Sequence, residues 1–458
     1  MDYSAANTAL WNVVIQVGII SISIVFANFL RRKLSLIRSS LIPTAVLAGF
    51  LLLLLRTTGI LHMDAHMLEM ITYHGIALGF IALSLRMTAQ DEASNGSLIG
   101  AKSGALIVST YLVQAIVGLI ITLFLSYTVM PELFRAAGIL LPMGYGQGPG
   151  QANNVGSSYE ALGFVGGRSF GLSLAATGYL VACLVGVTVL NVLIHRGKVH
   201  HTDSEIISGS VTIDVFQDKD EIPISESLDR LSMQVSLIIG VYLLTYLATW
   251  GVTSGIAAIS ASLANTLNSL LWGFNFIIGS ALAILTRTVM KKLRGAGIMH
   301  RQYQNNYLLS RISGFAFDIM ITAGIASIEI SDLQNLWLPF LLLSVAGAFA
   351  TWFFLAAVCK KIYPNYYYEG LISMFGMLTG TISSGVLLLR EIDAEYKTPA
   401  ADNLILGSSF GIIFGIPVLL LVGLAPKSDL LCFVVLALCA VYLAGLLAFI
   451  YKVNRRKK

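Results

Sequence analysis

Residues 142–158 read PMGYGQGPGQANNVGSS. The apolar run from Ala136 to Met143 leads straight into them, and glycine takes every second position from Gly144 to Gly150. An interior glycine costs a helix roughly 1 kcal/mol against alanine, so such a run forbids a straight helix. The surrounding chain has 458 residues, 56% of them hydrophobic and only 12% charged. Soluble domains of ordinary make-up carry about 25% charged residues, so the solvent of this chain is a bilayer. Irregular backbone at membrane depth persists only where protein or a watery cavity satisfies its amides and carbonyls. The stretch therefore reads as a re-entrant hairpin over about 136–168, entering and leaving on one side, rather than as an outer loop with flexible glycines.

A second broken segment covers about 369–390. Its centre, residues 375–385, reads FGMLTGTISSG and fits two half-helices around a polar tip at Thr379, Gly380, Thr381, Ser383 and Ser384. A bilayer-spanning helix needs about 20 apolar residues. Runs near that length occur at 10–30, 41–55, 69–87, 105–129, 170–194, 233–253, 267–286, 309–329, 336–359, 402–424 and 429–451. The run at 41–55 is short and ends at Arg56, but the alternation of sides fails without it. With both broken segments as hairpins and the N-terminus outside, most of the 29 Lys and Arg fall on the cytoplasmic side. Arg31, Arg32, Lys33, Arg196, Lys198, Arg287, Lys291, Lys292, Lys360 and Lys361 are among them, while the outer loops keep Arg56, Arg135 and Lys427. By the positive-inside rule the expectation is a multi-pass protein of the cell membrane with eleven spans and a cytoplasmic C-terminus. The formal charge of +5 follows from that distribution and calls for no nucleic-acid partner.

The polar stretch 196–231 divides the chain as a cytoplasmic linker. Residues 1–195 and 232–425 each hold five spans, with a broken segment between the fourth and the fifth. Five is odd, so the second half inserts upside down relative to the first, an arrangement many secondary transporters share. Ile76 to Leu85 and Ile319 to Ile328, in the third span of each half, carry small residues at like positions. Residues 426–458 add a further span and a basic tail. The expected fold is thus an all-α polytopic membrane protein of two inverted-topology repeats, each with a re-entrant hairpin, plus one extra C-terminal span. Cys183, Cys359, Cys432 and Cys439 lie in or at the end of apolar runs without metal-ligand spacing, which argues against a disulfide framework or a zinc site.

Broken helices suit ions because carbonyls replace a cation's hydration shell while half-helix N-termini favour anions. Gly144, Tyr145, Thr379 and Asp318 are the candidate cation ligands. Gly146, Gln147, Gly148, Asn153, Asn154, Ser157, Gly380, Thr381, Ser383 and Ser384 are the candidate substrate contacts, with short side chains that donate and accept. Asp318 lies near the middle of a span, where a carboxylate is expensive and marks an ion pathway. Arg168, at the outer start of a span, suits either a substrate carboxylate or snorkelling to the interface, and Glu69 and His74 read as interfacial. No paired carboxylates, metal cluster or nucleophile–base pair recurs at useful spacing, so neither an enzyme nor a cofactor is expected. Gly144-Tyr145-Gly146 echoes a potassium filter, but a filter needs four-fold repetition and one chain offers two hairpins.

The pattern resembles the glutamate:sodium symporter family, itself related to the citrate-type sodium symporters. The run Gly144-Tyr-Gly-Gln-Gly is similar to that family's Gly-aromatic/His-Gly-x-Gly loop. Tyr159 to Phe164 leads into a small-residue helix as it does there, and Asp318 to Leu333 looks like the family's third span of the second half. The second hairpin lacks the proline and asparagine associated with the family's second loop, and Tyr145 stands where a histidine is common. The resemblance implies sodium-driven uptake of glutamate or a similar small anion, Na+ as coupling ion, a homodimer, and elevator-like movement of the hairpin-bearing domain. Proton coupling in the same fold, with Asp318 titrating, is the rival mechanism.

Overall fold

Apolar runs of this length become helices in lipid because a helix satisfies its own backbone groups there. A computed structural model of the chain describes all residues except 1–3, 5, 6, 36, 38–41, 88–93, 200–226, 260–270, 274, 300, 394–397 and 456–458. Side chains at 8–10, 94–97, 227–229, 259, 383, 390, 405, 409 and 453–455 also lie outside the described part. Every regular element among the described residues is helical. In chain order these are α1 (Thr8–Lys33), α2 (Thr44–Thr57), α3 (Ala65–Leu85), α4 (Ser94–Thr128), α5 (Pro149–Glu160), α6 (Gly167–His195) and α7 (Ser227–Ile259). Then follow α8 (Asn275–Gly295), α9 (Asn306–Ala326), α10 (Trp337–Ile362), α11 (Tyr367–Thr379), α12 (Ile382–Arg390), α13 (Ala400–Leu424) and α14 (Asp429–Arg455).

Among the described residues nine helices are long and apolar enough to cross a membrane: α1, α3, α4, α6, α7, α9, α10, α13 and α14. The apolar α2 is shorter, at 14 residues. The span expected at 267–286 begins in part outside the described residues, and α8 continues beyond it to Gly295 with Lys292 and Arg294 in its last turn. The polarity of the molecule is that of a membrane protein. Ile22, Val25, Leu430 and Val441 are each about 70% exposed, whereas Ser109, Thr110, Gln114 and Thr122 on α4 are fully buried. Exposed apolar surface on this scale needs lipid to cover it. The four cysteines are buried, and none forms a disulfide among the described residues.

The helices fall into two compact units that interleave along the chain and cut across the two sequence halves. The first takes Met1–Glu69, Ala93–Glu205 and Ile321–Lys458. The 35-residue α4 runs through it, packed by α10, α13 and α14, while α5 lies along α6 and α11 along α12. Gly376 faces Gly385 so closely that a Cβ on Gly376 would lie 2.9 Å from the Gly385 Cα, and the two short helices form a tight pair. The second unit takes Met70–Glu92 and Ile206–Met320. Its core joins Ile81, Ala82 and Leu85 of α3 to Ile238 and Val241 of α7, Ala283 of α8 and Leu309 of α9. Ser313 donates to the Gly79 carbonyl at 2.9 Å, and Asn275 donates to the Tyr73 hydroxyl at 2.8 Å.

Candidate functional site

The glycine-rich stretch is a helix that breaks and restarts. Pro142–Gly146 winds as one wide turn, closed by the Gln147 N–H donating five residues back to the Pro142 carbonyl at 3.1 Å. Gly148 then takes φ +86°, and α5 starts at Pro149. Proline suits a first helical position because its missing N–H would have no partner there. The N-cap residue of α5, Gly148, makes no side-chain cap bond, and the amides of a helix's first turn have no partner within the helix itself. The second segment repeats the pattern. α11 ends at Thr379, Gly380 and Thr381 are non-helical, and α12 starts at Ile382, also with no side-chain cap.

Both segments belong to the first unit, and their breaks meet. A Cβ placed on Gly148 would lie 3.6 Å from the Thr381 Cγ2, 3.7 Å from the Tyr179 hydroxyl and 3.9 Å from the Gly380 carbonyl oxygen. Two helix N-termini and two helix C-termini therefore converge on one spot, with positive and negative ends side by side. Gly380 has a negative φ. It is confined instead by contact, since a Cβ there would fall 2.8 Å from the Ser384 Oγ and 3.1 Å from the Gly376 carbonyl oxygen.

The expected ligands divide into groups. Gly146, Gly148, Gly380 and Thr381 lie at the breaks, and Gln147 lies between the wide turn and Gly148. The buried oxygens Thr381 Oγ1, Ser384 Oγ and Asn153 Oδ1 have no hydrogen-bond partner among the described residues. Gly144 packs its Cα against Ala175 and Leu174. Tyr145 is fully buried and donates to the Ser344 carbonyl at 2.7 Å, so its hydroxyl anchors the wide turn to α10. The Thr379 hydroxyl donates back to Phe375 of its own helix at 2.8 Å. Asn153 and Asn154 sit inside α5. Ser157 follows Gly148 by nine residues, about 14 Å along a helix, and donates to Glu69 Oε1 at 2.8 Å. Ser383 has its side chain outside the described part. Asp318 belongs to the second unit, where it is exposed on α9.

One residue at the breaks escaped the sequence reading. Gln114, fully buried on α4, donates to the Leu378 carbonyl at 2.9 Å and to the Thr351 hydroxyl at 2.8 Å. Its Oε1 lies 2.9 Å from where a Cβ of Gly146 would stand. A single side chain thus touches both broken segments. The signal was a lone amide in the apolar run Tyr111 to Ile116. Two more buried oxygens, Gln151 Oε1 on α5 and Ser173 Oγ on α6, have no hydrogen-bond partner among the described residues.

A second polar cluster gathers where α5 ends and α6 begins. The Arg168 guanidinium donates to Glu69 at 3.3 Å, and the Arg168 backbone N–H donates to Glu160 at 3.0 Å. Ser169 donates to Asp332 at 2.8 Å and accepts from the Glu329 N–H at 3.1 Å. Arg56 pairs with Glu329 and donates to the Ala326 carbonyl at 2.9 Å. The Arg168 side chain is only 13% exposed and engaged by Glu69. Burial pushes the Glu160 carboxyl above its ordinary value, against the pull of the Arg168 N–H and charge. His74 meets the Tyr242 hydroxyl at 2.6 Å within the second unit.

Helices and polarity together define the class: this is a multi-pass α-helical membrane protein. No family model, curated protein or solved structure matches the chain.

Proposed function

We propose that the protein is a secondary active transporter that moves glutamate or a similar small anion with Na+, by alternating access, as the resemblance to the glutamate:sodium symporters implies. The observation that carries this reading is the meeting of the breaks at Gly148 and Gly380–Thr381. Binding sites in inverted-repeat transporters lie near the bilayer midplane, where the ends of discontinuous helices take opposite ionic charges. Here the first-turn amides of Pro149–Glu160 and Ile382–Arg390 suit a carboxylate, and the carbonyls ending Pro142–Gly146 and Tyr367–Thr379 suit a sodium ion. In this proposal both segments are re-entrant, residues 1–195 and 232–425 are the inverted repeats, and the chain works as a dimer with its N-terminus outside and its C-terminus in the cytoplasm. That each compact unit draws on both sequence halves fits repeats that exchange elements.

Proton coupling is the second reading, favoured by Asp318, an exposed carboxylate within a membrane-length helix. Uptake of labelled glutamate into proteoliposomes, with sodium and pH gradients imposed separately, separates the two. Uptake driven by sodium alone supports symport with Na+, and uptake driven only by pH shifts the role to Asp318. No glutamate-dependent uptake under either gradient would sink the substrate assignment.

A further inference from the structure

The end of α6 opposite the Arg168 cluster carries a groove that the transport reading does not use. The helix stops because Gly197 takes φ +61°, with the Gly197 N–H bonding back to Ile194 and the Lys198 N–H to Leu193, both at 2.9 Å. This paired closure is the common way a helix ends on glycine. It sets His195, Arg196 and Lys198 together at the helix mouth, all three exposed. Below them one face of α6 stays uncovered: Leu184, Val185, Thr188, Asn191 and Val192 are exposed, while Cys183, Gly186 and Leu190 are buried on the other face.

Thr188, Asn191, Val192, His195 and Arg196 line a groove of ≈ 350 Å³. Arg196 and Lys198 form no ion pair among the described residues. Cations thus crown an apolar stripe that runs down into the membrane. That gradient matches an anionic phospholipid, with acyl chains along Leu184 and Val192 and the phosphate among the cations.

We infer that this groove is a binding site for the phosphate headgroup of an anionic membrane phospholipid, held by Arg196 and Lys198 with Asn191 and His195 beside them. The site asks only that the protein spans a membrane, so it stands or falls apart from glutamate transport.

The test uses the full chain purified in detergent. Retained lipid is counted by native mass spectrometry, and melting is followed while phosphatidylglycerol or phosphatidylcholine is added. Phosphatidylglycerol should be retained selectively and raise the melting temperature. Arg196→Gln with Lys198→Gln should weaken that retention about tenfold or more, in keeping with the attraction of each basic residue to an anionic surface. Lys427→Gln, far along the chain on an exposed turn, should leave it unchanged. Equal retention of both lipids would overturn the assignment. So would an unchanged double variant, or protection by free glycerol phosphate at the same concentration.

Discussion

Gln114 shows how much one side chain can tie together. It bonds the Leu378 carbonyl on one broken segment and stands over Gly146 on the other. Leucine there would fill the space and leave the Leu378 carbonyl and Thr351 hydroxyl without that donor, and a buried polar group so stranded costs about 1–3 kcal/mol. Gln114→Leu should therefore lower the melting temperature and weaken substrate binding together, and unchanged melting would mean the bonds carry little. Glu160 permits a pH prediction. Burial raises its carboxyl, Asp332 and Glu69 push the same way, and Arg168 opposes them. A carboxyl raised in the folded state binds its proton more tightly there than in the unfolded chain. Its contribution to stability is present at low pH and is lost as pH rises through the raised value. Glu160→Gln removes that dependence while still able to accept the Arg168 N–H. Melting of the variant should fall less than that of the parent as pH rises above the ordinary glutamate range, and parallel curves would show that Glu160 does not titrate there.

At the scale of elements the two breaks should behave as one site. Gly148 has room for a side chain, its neighbours standing at ordinary contact distance, so Gly148→Val harms through its positive φ rather than through a clash. Non-glycine residues forced into such conformations cost about 1–3 kcal/mol. The strain falls on the loop between the wide turn and α5, so substrate binding should be abolished while insertion persists. Cysteines at Gln151 and Thr381 should be protected from thiol reagents by substrate plus sodium. A cysteine at Ser157 should not be, because that position faces Glu69. Protection at Ser157 with none at Thr381 would refute a shared site at the breaks. Both breaks were legible from glycine spacing, since backbone irregularity is written locally. What surrounds them was not. The hydroxyls of Tyr145 and Thr379 serve backbone carbonyls, so any part these residues take in holding a cation falls to their own carbonyl oxygens. Gln114 is 264 residues from its partner Leu378, a pairing no local pattern contains. For Arg168 the sequence offered a substrate carboxylate or snorkelling, and the partner it meets, Glu69, stands 99 residues earlier in the chain.

Over the whole molecule the polar contacts of the first unit sort its loops by side. Asn12, near the start of α1, reaches Asp64 at 3.4 Å, so α2 runs back along α1 and returns the chain to its starting side. Arg56 at the end of α2 meets Glu329 just after α9. Glu69 at the start of α3 meets Ser157 and Arg168, Ser169 meets Asp332, and Arg135 pairs with Asp429 at the start of α14. The eleven-span topology proposed from charge counting puts all of these loops on one side. The short α2 decides that topology. Its 14 residues cover about 21 Å of a hydrocarbon core about 30 Å thick. Were α2 to lie in the interface, the loop after it would be internal and the basic stretch at 196–198 external. The parity of the C-terminus would survive if α8 also failed to cross, so labelling the tail alone decides nothing. The test is a pair of single cysteines in a cysteine-free background, at His62 and at Ser204. An impermeant thiol reagent applied to whole cells should label His62→Cys and leave Ser204→Cys untouched until the membrane is opened. The reverse pattern would remove α2 from the count of spans and invert every assignment between it and the next failed crossing.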